Sequence, residues 1–301
     1  MQSRVGVIRI GISGWTYAPW RGRFYPKGLR QSRELAYAAS RFSSLEINGT
    51  FYGLQKPRVF DRWASETPAD FIFAVKGPRF ITHVKRLRDI EAPLANFFAS
   101  GPLRLGEKLG PVLWQFPPSF PFDVERLRDF LALLPRNTEA AADLAREHDD
   151  HISHPDETRP AKQPIRYALE IRHASFRDPA FIELLREQDV ALVCADTVEW
   201  PRLMDVTSDF VYCRLHGSRE LYRSGYDDAE RHRWARRIAA WSRGEPMDDG
   251  NFVGARKAPD RPRDVFLFFD NTDGFHAPDD ALAIMRELGV EWRHDADAPA
   301  A

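Results

Sequence analysis

The stretch SLEINGTFY, residues 44–52, starts as a strand and ends as something else. Ser44, Leu45, Glu46, Ile47 and Asn48 alternate polar and apolar residues at period two, the spacing of a half-buried strand. With Leu45 and Ile47 turned toward covering helices, Glu46 and Asn48 point the other way, into whatever the strand encloses. A carboxylate and an amide on an enclosed face suit a ligand better than they suit packing. The neighbouring strands decide whether that face closes on itself.

Seven more runs rich in β-branched or aromatic residues follow the same grammar: VIRIGIS (7–13), FIFAVK (71–76), PVLWQF (111–116), IRYALEI (165–171), ALVCAD (191–196), FVYCRLH (210–216) and DVFLFFD (264–270). Helix-length amphipathic segments separate most of them, among them SRELAYAASRF, PRVFDRWASET, DVERLRDFLALL, DPAFIELLREQ, DAERHRWARRIAAW and PDDALAIMRELG, several opened by Asp, Ser or Pro. Eight β/α units in one chain of this length predict an α/β (β/α)8 TIM barrel, with a doubly wound open sheet as the alternative. The sixth unit is weak, because TVEWPRLMD holds a turn or two of helix at most. Two polar stretches, 136–164 and 242–263, break the rhythm and read as mobile surface insertions in a single domain spanning 1–301.

Composition narrows the partners. The 301 residues carry 43 Lys and Arg against 44 Asp and Glu, a formal charge of -1, so no global field draws the chain to nucleic acid or to a membrane. No run approaches the length of a membrane span, and the first residues lack the apolar core of a signal peptide, so a cytoplasmic protein is expected. Cys194 and Cys213 lie in successive strands. Counting by twos sets Cys194 with Asp196 and Cys213 opposite Arg214, which sends the thiols to different sides of the sheet and predicts no disulfide.

Applied to every strand, the same count leaves a polar residue facing inward at each C-terminal end: Ser13, Glu46 with Asn48, Lys76, Gln115, Glu170 with Arg172, Asp196, and Arg214 with His216. The eighth strand offers Asp270 or Asn271, whose facing stays open. In this fold the C-terminal mouth is where active sites lie. The competing reading is a ring of mutually neutralising charges that only fills the barrel, a poor route to stability compared with an apolar filling.

The segments SGWTYAPWRGRFYP, LEINGTFY, FAVKGPRFITH, LWQFPPSF, ALEIRHASF, YCRLHG and FFDNT, taken together and in order, resemble the YecE-like family, the domain of unknown function numbered seventy-two. The resemblance spans about residues 7 to 290. It implies a TIM barrel and supplies no established activity.

Within this frame Glu46, Glu170 and His216 are the candidate catalytic residues, the two glutamates dividing acid and base roles and His216 either moving a proton or orienting. Trp15, Trp20, Asn48, Tyr52, Lys76, Gln115, Arg172, Arg214 and Asn271 are the candidate binding residues. Loop 14–33 interleaves aromatic and basic side chains, as a lid over an anionic ligand or as a hydrophobic plug. The expected partner is an anionic small molecule, a sugar phosphate, nucleotide or carboxylate, handled without a cofactor. Two alternatives stay open. One is a divalent metal held by Glu170, Asp196, His216 and Asp270, a set that Arg172 and Arg214 speak against. The other is a binder of nucleic acid or nucleotide using loop 14–33 with Arg79, Lys85, Arg86 and Arg88. The histidines of REHDDHISH (146–154) are read as incidental.

Overall fold

The computed structural model describes residues 5–247, 249–255, 257–292 and 294. Eight parallel strands close into a barrel in chain order: β1 (Ile8–Ser13), β2 (Ser44–Ile47), β3 (Ile72–Lys76), β4 (Leu109–Gln115), β5 (Tyr167–Glu170), β6 (Ala191–Asp196), β7 (Phe210–Leu215) and β8 (Asp264–Phe269). Closure comes from β8 pairing with β1, Val265 beside Ile8 through Phe269 beside Ile12. This is the (β/α)8 barrel, and it leaves no open edge to protect.

Helices α1 (Glu34–Arg41), α2 (Gly49–Tyr52), α3 (Pro57–Ser65), α4 (Glu91–Ala99), α5 (Val124–Leu133), α6 (Thr138–Ala145), α7 (Pro179–Glu187), α8 (Asp228–Arg243) and α9 (Ala277–Leu288) accompany the strands. Their starts carry local signals. Asp123, Asn137 and Asp178 each accept a hydrogen bond from a first-turn N–H of α5, α6 and α7, and Asp227 with Glu230 forms a reciprocal capping box on α8.

Two apolar layers result. Outside the barrel Leu45, Ile47, Phe73, Val75, Trp114, Leu169, Cys213 and Leu215 pack against the helices. Inside, Ala74, Leu113, Ala168, Val193, Ala195, Tyr212, Phe266 and Phe268 form a smaller core. The count by twos therefore has the right phase on β2, β3, β4, β5 and β7. On β6 the phase is reversed: Ala191, Val193 and Ala195 face in while Cys194 faces out. Cys194 and Cys213 are register partners in the outer layer, so the thiols share one side of the sheet, both free and buried. The expectation that they diverge fails because ALVCA is apolar on both faces and gives alternation no polarity to act on.

Both polar stretches are more built than expected. Stretch 136–164 contains α6, whose Ala141 and Ala145 are buried, and Asp149 exchanges hydrogen bonds with Asn96 on α4. Because α6 covers its outer side, α4 is buried from Leu94 to Ala99 and has no polar face. Between β6 and β7 the described residues form no helix. Residues 251–254 of the second stretch bind that segment instead: Met204 donates to the Asn251 carbonyl, and Asp205 accepts from the N–H groups of Val253 and Gly254.

Candidate functional site

At the C-terminal mouth Arg214 of β7 is fully buried and bonded to three carboxylates. Its Nε and Nη2 donate to Glu46 Oε2 and Oε1 at 3.0 and 2.8 Å, its Nη1 to Glu170 Oε2, and its Nη2 also to Asp270 Oδ2 at 2.8 Å. Strands β2, β5 and the end of β8 are thereby braced to β7. Tyr212, one inward position below Arg214, donates its hydroxyl to Glu46 Oε2 at 2.7 Å. Gln115 donates to Glu170 Oε1 at 2.7 Å, and Arg172 Nε reaches the same oxygen at 2.9 Å.

The charges follow from this geometry. Burial pushes the Glu170 carboxyl up, but Arg214, Arg172 and His216 outweigh it and hold the group well below the ordinary carboxylate range. Asp270 meets the same balance and is held low by Arg214, His216 and Lys76. That balance favours the ionised form of Glu170. One guanidinium binds both Glu46 and Glu170 and ties the two candidate acid and base residues into a single network.

Lys76 differs from its neighbours. Its ammonium lies over the Phe51 ring at 4.2 Å and, among the described residues, has no ion pair or hydrogen bond. Burial first, then the Arg214 charge, bring it down to about 8 against the pull of Glu46, Asp270 and Glu170. Gly77 follows, where a Cβ would lie 2.3 Å from the Trp114 ring, so only glycine lets β3 end here.

His216 is fully buried and faces a carboxylate on each side, with Nδ1 3.0 Å from Asp270 Oδ2 and Nε2 3.7 Å from Glu170 Oε2. Around these groups Ser13 Oγ, Asn48 Oδ1 and Trp200 Nε1 are buried and unpartnered. The Arg172 guanidinium lies 4.1 Å over the Trp200 ring and donates to the Tyr222 hydroxyl at 3.2 Å. Tyr222 holds a left-handed backbone, φ 63°, uncommon for a bulky residue, and its N–H donates to the His216 carbonyl.

A family model described as "Protein of unknown function DUF72" matches residues 9–301. The chain belongs to the DUF72 family. UPF0759 protein YunF of Bacillus subtilis is 24% identical over 301 residues, covering 95% of this chain and 96% of YunF. UPF0759 protein YecE of Escherichia coli K12 is 32% identical over 130 residues, 43% of this chain and 45% of YecE. Among solved structures, a DUF72 family protein from Thermotoga maritima superposes with a TM-score of 0.69 at 25% identity, covering 94% of this chain and 99% of that one. A DUF72 family protein from Enterococcus faecalis gives 0.69 at 17% identity, over 98% and 100% of the two chains, a likeness of fold alone.

Not every expected residue of this DUF72 chain reaches the mouth. Trp15 packs edge-on to Trp63 of α3 at 5.5 Å, outside the barrel. Trp20 is buried among Tyr17, Phe24 and Tyr25, its Nε1 pointing to the Thr272 carbonyl. Loop 14–33 is thus mainly a hydrophobic plug, since its rings gain more from one another than from water. Asn271 bonds Asp280 of α9 and the Ser224 carbonyl, because Asp270 takes the inward position and its neighbour must face out. Tyr52 is exposed beside the mouth. Asp196 accepts from Trp234 Nε1 of α8 and from Arg202, on the outer side, so the four-residue metal set does not assemble. Among the described residues no group of three or more His, Cys, Asp or Glu side chains is arranged to hold a metal ion. Of the basic residues in the nucleic-acid reading, Lys85 pairs with Asp89, and Arg86 bonds Ser119.

Tyr17, Phe51, His83, Trp200, Tyr212 and Tyr222 were not singled out by the strand count. Tyr17, Trp200 and Tyr222 come from loops, where no period applies, and Phe51 and His83 from single helical turns too short to show one. Tyr17 donates its hydroxyl to the Ser13 carbonyl, and burial with Asp270 and Glu46 nearby holds that hydroxyl protonated. Tyr212 lies on a strand, and its inward position was legible by the same count that gave Arg214.

Proposed function

We propose that the barrel mouth binds an anionic small molecule, a sugar phosphate, nucleotide or carboxylate, and that the protein acts on it as an enzyme without a cofactor. One observation carries this reading: Lys76 is a buried cation with no carboxylate partner, beside an Arg214 whose charge is already matched three times over. A buried ammonium with no directly bonded counter-ion is costly, and an incoming anion offsets that cost. Arg172 reaches toward the same space from β5, with Tyr222 and Trp200 fixing its plane.

Roles follow from charge. Lys76 and Arg172 hold the anion, Asn48 and Ser13 offer unpartnered oxygens for orientation, and Arg214 with its carboxylates is the frame. Lys76, down at about 8, is a group able to change protonation near neutral pH, and His216 stands in the frame between Asp270 and Glu170. The two glutamates keep Arg214 in place.

Thermal melts in millimolar inorganic phosphate test the reading. Phosphate should raise the melting temperature of the wild type and leave that of Arg172→Ala and Lys76→Met unchanged. Equal shifts in all three proteins would remove the mouth as the anion site.

A further inference from the structure

Beside the mouth lies a groove that neither the frame nor the anion site uses. It is a cavity of about 450 Å³, walled on one side by Phe51 and Tyr52 of α2 and on the other by Phe80 and Val84, and closed at its far end by the Asn96–Asp149 pair. Tyr52 is 72% exposed, Val84 60% and Phe80 49%, so three large apolar side chains face water in one concavity. Such a volume matches a small-molecule site.

Its second wall is built irregularly. Phe80–Val84 forms a single π turn, and Arg86, Leu87 and Asp89 just beyond it all have positive φ. A π turn interrupts the usual register and is frequent at functional sites. Here it exposes Phe80 and Val84 while Ile81 and Thr82 stay buried as its anchor.

The groove and the mouth share a wall. Phe51 lines the groove, and its ring carries the Lys76 ammonium at 4.2 Å. The same ring meets His83 edge-on at 5.1 Å. His83 is brought down to about 4 by burial first and then by the charges of Arg79, Arg172 and Lys76, with Glu170 pulling the other way. Arg79 lines the groove and, among the described residues, has no ion pair. Cations thus flank the Phe51 wall, Lys76 against its ring and Arg79 in the groove.

We infer that the groove takes the ring-bearing part of the same ligand whose anionic head sits at the mouth, making the natural ligand an aryl- or nucleobase-type anion rather than a bare sugar phosphate. This rests on the mouth being the anion site. Tyr52 and Phe80 supply flat faces for a ring, Val84 an apolar edge, and Arg79 a cation for any second charge. The cations at this wall favour an anionic occupant.

Titration calorimetry with inorganic phosphate and with phenyl phosphate separates the two ideas. Phenyl phosphate should bind at least about tenfold tighter than phosphate. Tyr52→Ala and Phe80→Ala, both at exposed positions, should each remove most of that gain and leave phosphate binding unchanged. Equal affinity for the two ligands, or a gain indifferent to both variants, overturns the inference while phosphate binding itself still stands. Tyr52-dependent binding of phenyl phosphate without any binding of phosphate would remove the mouth as the anion site and overturn the inference with it. A dimer dissolved by Phe80→Ala, with no phenyl effect, would assign the groove to self-association and overturn the inference.

Discussion

Removing the Arg214 guanidinium would leave Glu46, Glu170 and Asp270 buried side by side with no common counter-charge. Breaking such a buried network by deleting one partner costs about 3–5 kcal/mol. Arg214→Met should therefore lose at least that much in urea unfolding, and an unchanged midpoint would mean that the three carboxylates do not depend on it. Lys76 gives a prediction that depends on pH. Unfolded, it keeps its proton to about 10.5; folded, it releases the proton at about 8. Between those values the unfolded chain binds more protons, so stability rises with pH across that window. Relative to Lys76→Met, the wild type should gain up to roughly 3 kcal/mol from pH 7.5 to 10.5. A flat difference would place the ammonium in water. Glu170 and Asp270 work at the other end, because their folded carboxyls are held below the unfolded value. Their stabilisation is present above about pH 4 and is lost as pH falls through the folded values.

Among elements, β6 is where reading by alternation failed, and it is the best place to test the structure. Asp196 ends that strand on the outer side, where Trp234 Nε1 and Arg202 donate to it. Asp196→Ala should cost about 1–3 kcal/mol by stranding those donors, measured by denaturant melts, while the phosphate response of the protein stays intact. A lost phosphate response would put Asp196 back at the mouth. Helix α4 makes the complementary point: EAPLANFFA carries no amphipathic stripe because the barrel covers one side and α6 the other. A segment read as a polar insertion is what turns its neighbour into an interior helix.

For the molecule as a whole, Arg214 joins positions 168 and 44 residues away in sequence, so the frame exists only once the barrel has closed. Binding at the mouth then stabilises the closed barrel by mass action. At one hundred times the dissociation constant, phosphate should add about 2.7 kcal/mol, or roughly 5 °C in melting temperature for a chain of this size. No helix among the described residues is long and apolar enough to cross a membrane. With a net charge of only -1, the proposed anion capture rests on local charge.

Local chemistry settled a good deal by itself. Eight strands, most of the helices, and the inward facing of Glu46, Lys76, Gln115, Glu170 and Arg214 all follow from a period of two set against a period of 3.6, since covalent geometry imposes those repeats wherever one face is apolar. Where both faces are apolar, as in β6, the repeat carries no phase. Only tertiary structure decided that Asp196 faces α8, that the rings of loop 14–33 pack on one another, and that Tyr17, Tyr222 and Trp200 approach the mouth from loops. It also decided that Lys76, alone among the buried charges of the mouth, is left without a carboxylate. Pairing among charges depends on distances between strands far apart in sequence, and these are fixed by closure of the barrel.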